Sequence, residues 1–331
     1  MDLDALRAAR QGEWQRLEQL SRHRRMDGRG SDELILRYQD AAADLSAITT
    51  TAGAVPLADR LSVTLSRARM RFTGTGANLL SQLPRFFLAQ LPAALYRLRW
   101  WTLGAAAASA VVALAYGLWA ANDPQVLAAL GRNNDLKQLV NHDFVDYYSR
   151  NPAASFTSQV WTNNAFIAAQ CIAFGIVGVY VPYLLLQNAQ NIGITGGILF
   201  AYGRGDTFFL YIAPHGLLEL TSVFVAGAAG MRIFWSWIAP GARTRAQALA
   251  EDGRSLFIVA IGLTLSLFVS GIIEGFVTPS PLPWPVKIGI GALALAAFLV
   301  YMLVVGRRAA RAGETGDLDP FSAGARRILA D

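Results

Sequence analysis

The sequence predicts an all-α protein, in which a polytopic helical membrane bundle follows a soluble N-terminal helical bundle. Only 16% of the 331 residues are charged and the mean hydropathy is +0.34, whereas soluble globular proteins carry about 25% charged residues. The charges are also uneven, because Arg, Asp and Glu are frequent over residues 1–99 and rare over residues 160–305. This asymmetry predicts an aqueous part followed by a lipid-embedded part.

The first 75 residues are predicted to form a small cytoplasmic helical bundle. Apolar residues recur at near-helical spacing between charges over residues 2–26 and again over residues 32–50. A stretch with two glycines at residues 27–31 separates these two helices, and Pro56 begins a third. We therefore expect a helical hairpin or a three-helix bundle over residues 1–75.

Residues 76–99 differ from both of their neighbours. Apolar residues dominate this stretch, yet Arg85, Arg97 and Arg99 occur among them and two prolines interrupt the helical pattern. The combination is typical of an amphipathic helix that lies in the plane of the lipid headgroups. A buried amphipathic helix of the soluble domain is the alternative.

A transmembrane domain is predicted over residues 100–306, with a basic cytoplasmic tail at residues 307–331. An apolar helix of about twenty residues spans the hydrocarbon core of a bilayer. The predicted spans cover approximately residues 100–120, 159–187, 190–206, 208–238, 255–277 and 284–306. The segment 190–206 is short and rich in glycine, and short or broken helices are tolerated where protein buries them.

The distribution of arginine predicts the topology. Arginine-rich flanks of membrane spans belong in the cytoplasm, and such flanks occur at residues 60–99, at residues 239–254 and in the tail. Five spans would place the last two clusters outside. Counting 190–206 as a sixth crossing places all three inside, so we predict six crossings, one of them short or broken, with both termini cytoplasmic.

Charge and cysteine content exclude several classes of function. The net charge is +6 and the pI is about 9.7, but no nucleic-acid-binding motif accompanies the basic residues. Arginines beside apolar spans are better explained by topology and by contact with anionic lipid. The single cysteine, Cys171, excludes an intrachain disulfide and a multi-cysteine metal site.

Ionisable residues inside the predicted spans form the main candidate site. An ionisable side chain at membrane depth costs about 2.5–3.5 kcal/mol on insertion scales, so its presence suggests a function. His215 and Glu219 are four residues apart and share one helix face, which Ser222 continues. Glu274 lies near the end of an antiparallel span, and all of these positions fall in the same outer half of the bilayer.

Amide side chains extend this prediction. Asn163 and Asn164 lie near the start of the span 159–187, and under six crossings they enter the same outer half. A second polar group, Asn188 and Asn191 with the glutamines beside them, is predicted at the opposite, cytoplasmic side, where the chain turns.

Three interpretations of the candidate site remain open. The polar residues could be structural, with hydrogen bonds that fix the register of the helices. His215, Glu219 and Glu274 could instead bind a metal such as zinc and activate water as an intramembrane hydrolase, because two carboxylates and an imidazole are a valid zinc ligand set. The site could also bind a lipid-linked or ionic substrate, as a transporter does.

Four short motifs resemble those of a known family. They are Pro214-His215-Gly216-Leu217-Leu218-Glu219 with small residues up to Gly230, Asn163-Asn164 followed by Gly175 and Gly178, Asn188-Ala189-Gln190-Asn191-Ile192-Gly193, and Ile273-Glu274-Gly275-Phe276-Val277-Thr278-Pro279. By their order and spacing, the chain resembles the stage II sporulation protein M (SpoIIM, DUF95) family of bacterial membrane proteins. The resemblance covers nearly the whole chain.

The resemblance implies a protein of the bacterial inner membrane that acts with partners. In spore formers the family member joins peptidoglycan-degrading enzymes, and elsewhere its genes often neighbour those of MoxR-type AAA+ ATPases, DUF58 proteins and RDD-family membrane proteins. No catalytic activity is firmly attached to the family. We therefore predict a scaffold or partner-binding subunit of a cell-envelope or peptidoglycan-remodelling complex, without a cofactor, and consider a homodimer plausible.

Overall fold

The computed structural model describes residues 3–22, 27–52, 55–72, 83–148 and 153–317. Every regular element in these ranges is helical, which confirms the predicted all-α fold. The α-helices longer than one turn are α1 (Leu3–Arg22), α2 (Gly28–Ala52), α3 (Pro56–Phe72), α4 (Leu91–Arg97), α5 (Arg99–Asn122), α6 (Pro124–Leu130), α7 (Asn133–Gln138), α8 (Ala153–Ala173), α9 (Tyr180–Ala201), α10 (Gly205–Ile238), α11 (Arg245–Ile272), α12 (Trp284–Val300) and α13 (Gly306–Arg311).

The chain divides into two compact units, Met1–Leu83 and Pro84–Asp331, here called the N-terminal unit and the membrane unit. In the N-terminal unit, α1, α2 and α3 pack around an apolar core that includes Leu17, Leu34 and Ile48. Polar contacts supplement this core: the Trp14 indole donates a 3.0 Å hydrogen bond to Asp44. The unit is therefore a three-helix bundle with a core of its own.

Among the residues that the structure describes, four helices are long and apolar enough to cross a membrane: Arg99–Asn122, Gly205–Ile238, Arg245–Val277 and Trp284–Arg311. Large apolar side chains lie on their outer surfaces, for example Val111 and Leu293, as lipid contact requires. The central helix is α10, which packs against α5, α8, α9, α11 and α12. Consequently, α10 is the most enclosed of the four long apolar helices.

Contacts between helices define two ends of the membrane unit. Trp101 of α5 meets Trp235 of α10 at one end, and Gly117 of α5 lies beside Gly193 of α9 towards the other. The first end also holds Arg232, Arg243 and Arg254 and is called the basic end. The second holds His215 and Glu274 and is called the cluster end. The helices α8 and α9, of 21 and 22 residues, run between the same two ends.

The structure differs from the predicted spans 159–187 and 190–206. Helix α8 ends at Ala173, the chain turns over residues 174–179, and α9 runs from Tyr180 to Ala201. The segment around 190–206 is therefore the second half of a full-length helix and is not short. A Cβ at Gly175 would lie 2.8 Å from the Gly230 Cα, so the turn depends on close backbone packing that hydropathy does not report.

The segment before the first span is enclosed in the membrane unit. Residues 76–82 lie outside the described ranges. Beyond them, Leu91 and Leu95 of α4 are buried, and α4 contacts α11 and α13. Pro84 begins the membrane unit, so α4 is not part of the N-terminal bundle. After α13, the chain returns to Arg254, whose guanidinium forms two 2.7 Å hydrogen bonds with Asp317.

Candidate functional site

The candidate site lies at the cluster end, where α10 carries Pro214 and His215. A proline within a helix lacks the amide hydrogen and disturbs the backbone hydrogen bonds of the preceding turn. The backbone of Gly291 on α12 lies directly against the Pro214 carbonyl group, a contact that any side chain at Gly291 would prevent. This close approach places α12 beside the face of α10 that carries His215.

His215 is 4% exposed, and its ring is held from both sides. Its Nδ1 lies 3.4 Å from the Thr278 hydroxyl oxygen, and its Nε2 lies 3.9 Å from Glu274 Oε1. The Ser270 hydroxyl donates a 3.0 Å hydrogen bond to the His215 carbonyl oxygen. The Tyr148 ring, 5.8 Å away between centroids, covers the imidazole from the loop before α8.

Glu274 lies in a π-helical turn, Ile273–Val277, that continues α11. The Thr278 amide closes this wider turn through a 3.0 Å hydrogen bond to the Ile273 carbonyl oxygen. Glu274 as a whole residue is 4% exposed. Single π-helical turns are frequent at functional sites, because the extra residue redirects the side chains that follow. Here the turn contains the carboxyl group that faces His215.

Glu219 lies one helical turn after His215 and completes a group called here the three-residue cluster. One ligand atom from each of His215, Glu219 and Glu274 lies within 4.8 Å of the others. The Asn164 side chain of α8 lies beside the Glu219 carboxyl group. One carboxyl oxygen of Glu219, Oε2, is buried without a hydrogen-bond partner. The structure thus brings together the three ionisable residues singled out in the sequence, and one asparagine.

The other candidate residues occupy different places. Asn163 is exposed, because neighbouring residues of a helix point about 100° apart and Asn164 takes the inward direction. Ser222 lies one turn beyond Glu219, and its hydroxyl is 2.8 Å from that of Ser266 on α11. It therefore links α10 to α11 and lies outside the three-residue cluster.

The second polar group does not lie where the chain turns. Asn188 and Asn191 are in the interior of α9, whereas the turn occupies residues 174–179. Gln187 of this group is exposed and donates a 2.8 Å hydrogen bond to the Tyr183 hydroxyl group. The prediction of a polar group at the cytoplasmic turn is wrong, because apolar residues continue through the true turn and conceal it.

Lys287, a buried residue near the candidate site, is not among the site residues predicted from the sequence. Its side chain is 5% exposed, and its ammonium group donates a 2.7 Å hydrogen bond to the Thr278 carbonyl oxygen. The ammonium nitrogen also lies 4.1 Å from the centroid of the Trp284 ring. Lys287 is the one charged residue in the predicted span 284–306. That isolation is a sequence signal that could have identified it.

The basic end contains a network of ion pairs that is not predicted from the sequence either. Asp252 is 5% exposed and accepts hydrogen bonds from Arg232 at 3.2 Å and from Arg243 at 3.5 Å. Arg243 donates a further 2.6 Å hydrogen bond to Glu251, and this bond raises the pKa of the Arg243 guanidinium. Burial and the nearby Arg232 lower the pKa of Arg97. Sequence alone shows only a basic loop here, because the pairing depends on how α10 meets α11.

Two family models match the chain. The model described as stage II sporulation protein M matches residues 106–279, more than half of the chain, and this range includes the whole three-residue cluster. The model described as a domain of unknown function (DUF8413) matches residues 4–74, within the N-terminal unit. No curated protein and no solved structure matches the chain.

Proposed function

The chain belongs to the stage II sporulation protein M family, and on this premise we propose that it is the membrane-embedded, partner-binding subunit of a cell-envelope or peptidoglycan-remodelling complex. Membership of this family, together with the long apolar helices, makes the chain a multi-pass membrane protein. The main support for this proposal is the separate N-terminal unit, which has its own core and its own family match. A compact helical module attached to a membrane domain is well suited to binding another protein.

A groove between α1 and α3 is the proposed contact surface for this partner. It is lined by Arg7, Gln11, Trp14, Gln15, Glu18, Leu57, Arg60, Leu61 and Thr64. A neighbouring depression adds Asp59, Val63 and Arg67. Val63 is 51% exposed, so an apolar side chain is available at the rim. Aromatic and arginine side chains are the residue types enriched at protein interfaces.

The charges of the groove favour an acidic partner. Three arginines line the groove and its neighbouring depression. Of the two acidic residues there, Glu18 is already paired with Arg22 at 2.6 Å and lies 3.9 Å from Arg67. We therefore expect an amphipathic helix of the partner whose acidic side chains meet Arg7 and Arg60. Such complementarity increases the association rate and the specificity more than the affinity.

The proposed location is the bacterial inner membrane, with both termini in the cytoplasm. Arginines at the basic end of the membrane unit support this orientation, because basic residues that flank membrane spans remain on the cytoplasmic side. The six crossings need α8 and α9 to span the bilayer in addition to the four long apolar helices. By the family resemblance, a MoxR-type ATPase, a DUF58 or RDD-family protein, or a peptidoglycan-degrading enzyme is the expected partner.

The proposal is tested by photo-crosslinking in native membranes. A photoreactive residue replaces Val63 at the groove, and in a matched control it replaces Ile35, which is 45% exposed on α2. We expect a heterologous protein to be captured at 63 and not at 35, with the crosslink mapping to an acidic helix of that protein. Arg60→Glu should abolish the capture, whereas Arg29→Glu, a charge reversal at an exposed residue outside the groove, should not.

Two results would contradict the proposal. Capture of only a second copy of the chain would indicate self-association in place of partner binding. Equal capture at positions 63 and 35, unaffected by Arg60→Glu, would show that the groove has no specific occupant.

A further inference from the structure

We propose that His215, Glu219 and Glu274 bind one divalent transition-metal ion of the zinc class within the membrane unit. This inference goes beyond the proposed partner-binding function and does not depend on it. It rests on the positions of the ligand atoms, on the groups that orient them and on the charges around them.

The spacing of the ligand atoms fits a metal ion after a small adjustment. Zinc bound tetrahedrally at about 2.0–2.2 Å holds its nitrogen and oxygen ligands about 3.3–3.6 Å from one another. The His215 Nε2 and Glu274 Oε1 atoms are 3.9 Å apart, and all three ligand atoms lie within 4.8 Å. An ion bound here would draw the ligand atoms closer together by about 1 Å, and rotation of the two carboxylate side chains is the movement that this requires.

Neighbouring polar groups already orient the ligands. A metal-binding histidine usually has its second ring nitrogen held by a hydrogen-bond partner, which fixes the ring and its tautomer. In His215, Nδ1 faces the Thr278 hydroxyl group, and this leaves Nε2 directed towards Glu274. On the other side of the group, Asn164 is the polar neighbour of the Glu219 carboxyl group. The outer contacts expected around a metal site are therefore present for two of the three ligands.

Glu219 supplies independent evidence that a partner is missing. Its Oε2 atom is buried and has no hydrogen-bond partner. A buried polar atom without a partner costs about 1–3 kcal/mol, and more for a charged group. Native proteins rarely retain such an atom without a functional reason. A metal ion between Glu219 and the other two ligands would remove this cost.

The charges also indicate a cation. Within the described ranges of the chain, no arginine or lysine forms an ion pair with Glu219 or Glu274. The buried cation Lys287 instead contacts the Thr278 carbonyl oxygen and the Trp284 ring. Two neighbouring carboxylates in surroundings of low dielectric require either a shared proton or a positive ion. The histidine beside them favours the metal, because imidazole is a ligand for zinc-class ions.

The ligand types select the class of ion. Calcium and magnesium prefer oxygen ligands alone, whereas one imidazole with two carboxylates suits zinc and related first-row ions. Three protein ligands leave the fourth position of a tetrahedral ion free for water or for another molecule.

Metal content of the full-length protein is the first test. Wild type, His215→Ala, Glu219→Gln and Glu274→Gln are purified in detergent without chelators and analysed for all first-row metals. We expect about one ion per wild-type chain and a loss of about tenfold or more in each variant. Glu251→Gln, the same change at the basic end, should retain the wild-type content. Metal-free wild type that takes up no zinc on reconstitution, or unchanged content in all three variants, would overturn the site.

A second test does not require removal of a ligand. Saturating zinc should raise the Tm of metal-depleted wild type by about 5 °C, because an ion that binds only the folded state stabilises it. Thr278→Val leaves all three ligands in place but removes the hydroxyl group beside His215 Nδ1. It should weaken zinc binding about 10–100-fold. Ser222→Ala removes another buried hydroxyl from α10, outside the three-residue cluster, and should leave zinc affinity unchanged. Equal zinc affinity in Thr278→Val and wild type, or no zinc-induced rise in Tm, would contradict the proposal.

Discussion

At the basic end of the membrane unit, buried Asp252 lies between two arginines, whereas at the cluster end the half-buried Glu219 and the buried Glu274 face a histidine and each other. Asp252 and Glu274 are enclosed to a comparable degree, at 5% and 4% exposure. At the first end, opposite charges and hydrogen bonds compensate for the loss of water. At the second, the described residues leave one carboxyl oxygen without a partner.

This difference separates a structural use of buried charge from a functional one. Asp252 is already compensated by its arginines and gains no stability by binding a further ion. Its role is structural, because these ion pairs hold α10 against α11. An uncompensated group is retained only where something other than stability requires it. The comparison predicts that, in metal-free protein, removing a carboxylate destabilises the basic end strongly and the cluster end little or not at all.

The largest expected effect is that of Asp252→Ala. The substitution leaves Arg232 and Arg243 without their shared carboxylate, and Arg97 lies nearby. Breaking a buried pair in this way costs about 3 kcal/mol, the lower end of the usual range, because both arginines are partly exposed. Thermal unfolding in detergent measures this loss. Glu251→Gln, at the more exposed partner of Arg243, should cost less than about 1 kcal/mol.

Equal stabilities of Asp252→Ala and Glu251→Gln would contradict the conclusion that buried charges at the basic end hold the helices together. That outcome would mean that water at the basic end solvates the arginines well enough to replace Asp252. The basic end would then be a hydrated surface with no role in holding the helices together.

A smaller effect is expected for Glu274→Gln in protein kept metal-free by a chelator. The substitution keeps the shape of the side chain and removes one of two neighbouring negative charges. Because Glu274 has no arginine or lysine partner among the described residues, we expect a change in the free energy of unfolding below about 1 kcal/mol, or a slight gain. The same unfolding measurement applies. A loss as large as that of Asp252→Ala would identify the three-residue cluster as a structural clamp.

The sequence was sufficient to predict the class of fold and most of the three-residue cluster. Apolar stretches and the absence of charge predict membrane helices directly. The spacing of four residues between His215 and Glu219 places both on one helix face. Glu274 could be added to this pair because consecutive membrane spans are antiparallel. Counting residues from the ends of the two spans then places Glu274 at a depth in the membrane similar to that of His215 and Glu219.

Other features depend on contacts between distant residues and could not be predicted. The turn between α8 and α9 is set by Gly175 against Gly230, 55 positions away in the chain, and the residues of the turn itself, 174–179, are apolar like the spans. Tyr148 lies in a polar loop whose path over His215 has no local signature. Asn163 and Asn164 are adjacent, and only the packing of α8 decides which of them meets Glu219.

The smallest change in stability is expected for an exposed ion pair in the N-terminal unit. This pair also serves as a reference for the buried charges at the two ends of the membrane unit. Arg16 forms two 3.0 Å hydrogen bonds with Glu33, and these bonds lower the pKa of the Glu33 carboxyl below its ordinary value of 4.5. A carboxyl with a lowered folded-state pKa contributes stability that is present above its unfolded pKa and lost as the pH falls through the folded value. The contribution should be small, because the pair is exposed to water and screened by salt.

The corresponding variant is Glu33→Gln in the full-length chain. Its stability should fall slightly below that of wild type at pH 7 in low salt, and the difference should shrink as the pH is lowered below the ordinary glutamate pKa of 4.5, because protonation of Glu33 removes the contribution of the pair. Added salt should shrink the difference at pH 7, because mobile ions screen exposed charges. Circular dichroism during thermal unfolding measures both values. A difference that persists in high salt would show that the Arg16–Glu33 pair acts through the geometry of its two hydrogen bonds more than through charge. The exposed pair would then be a structural contact like Asp252, and exposure alone would not separate strong from weak pairs in this protein.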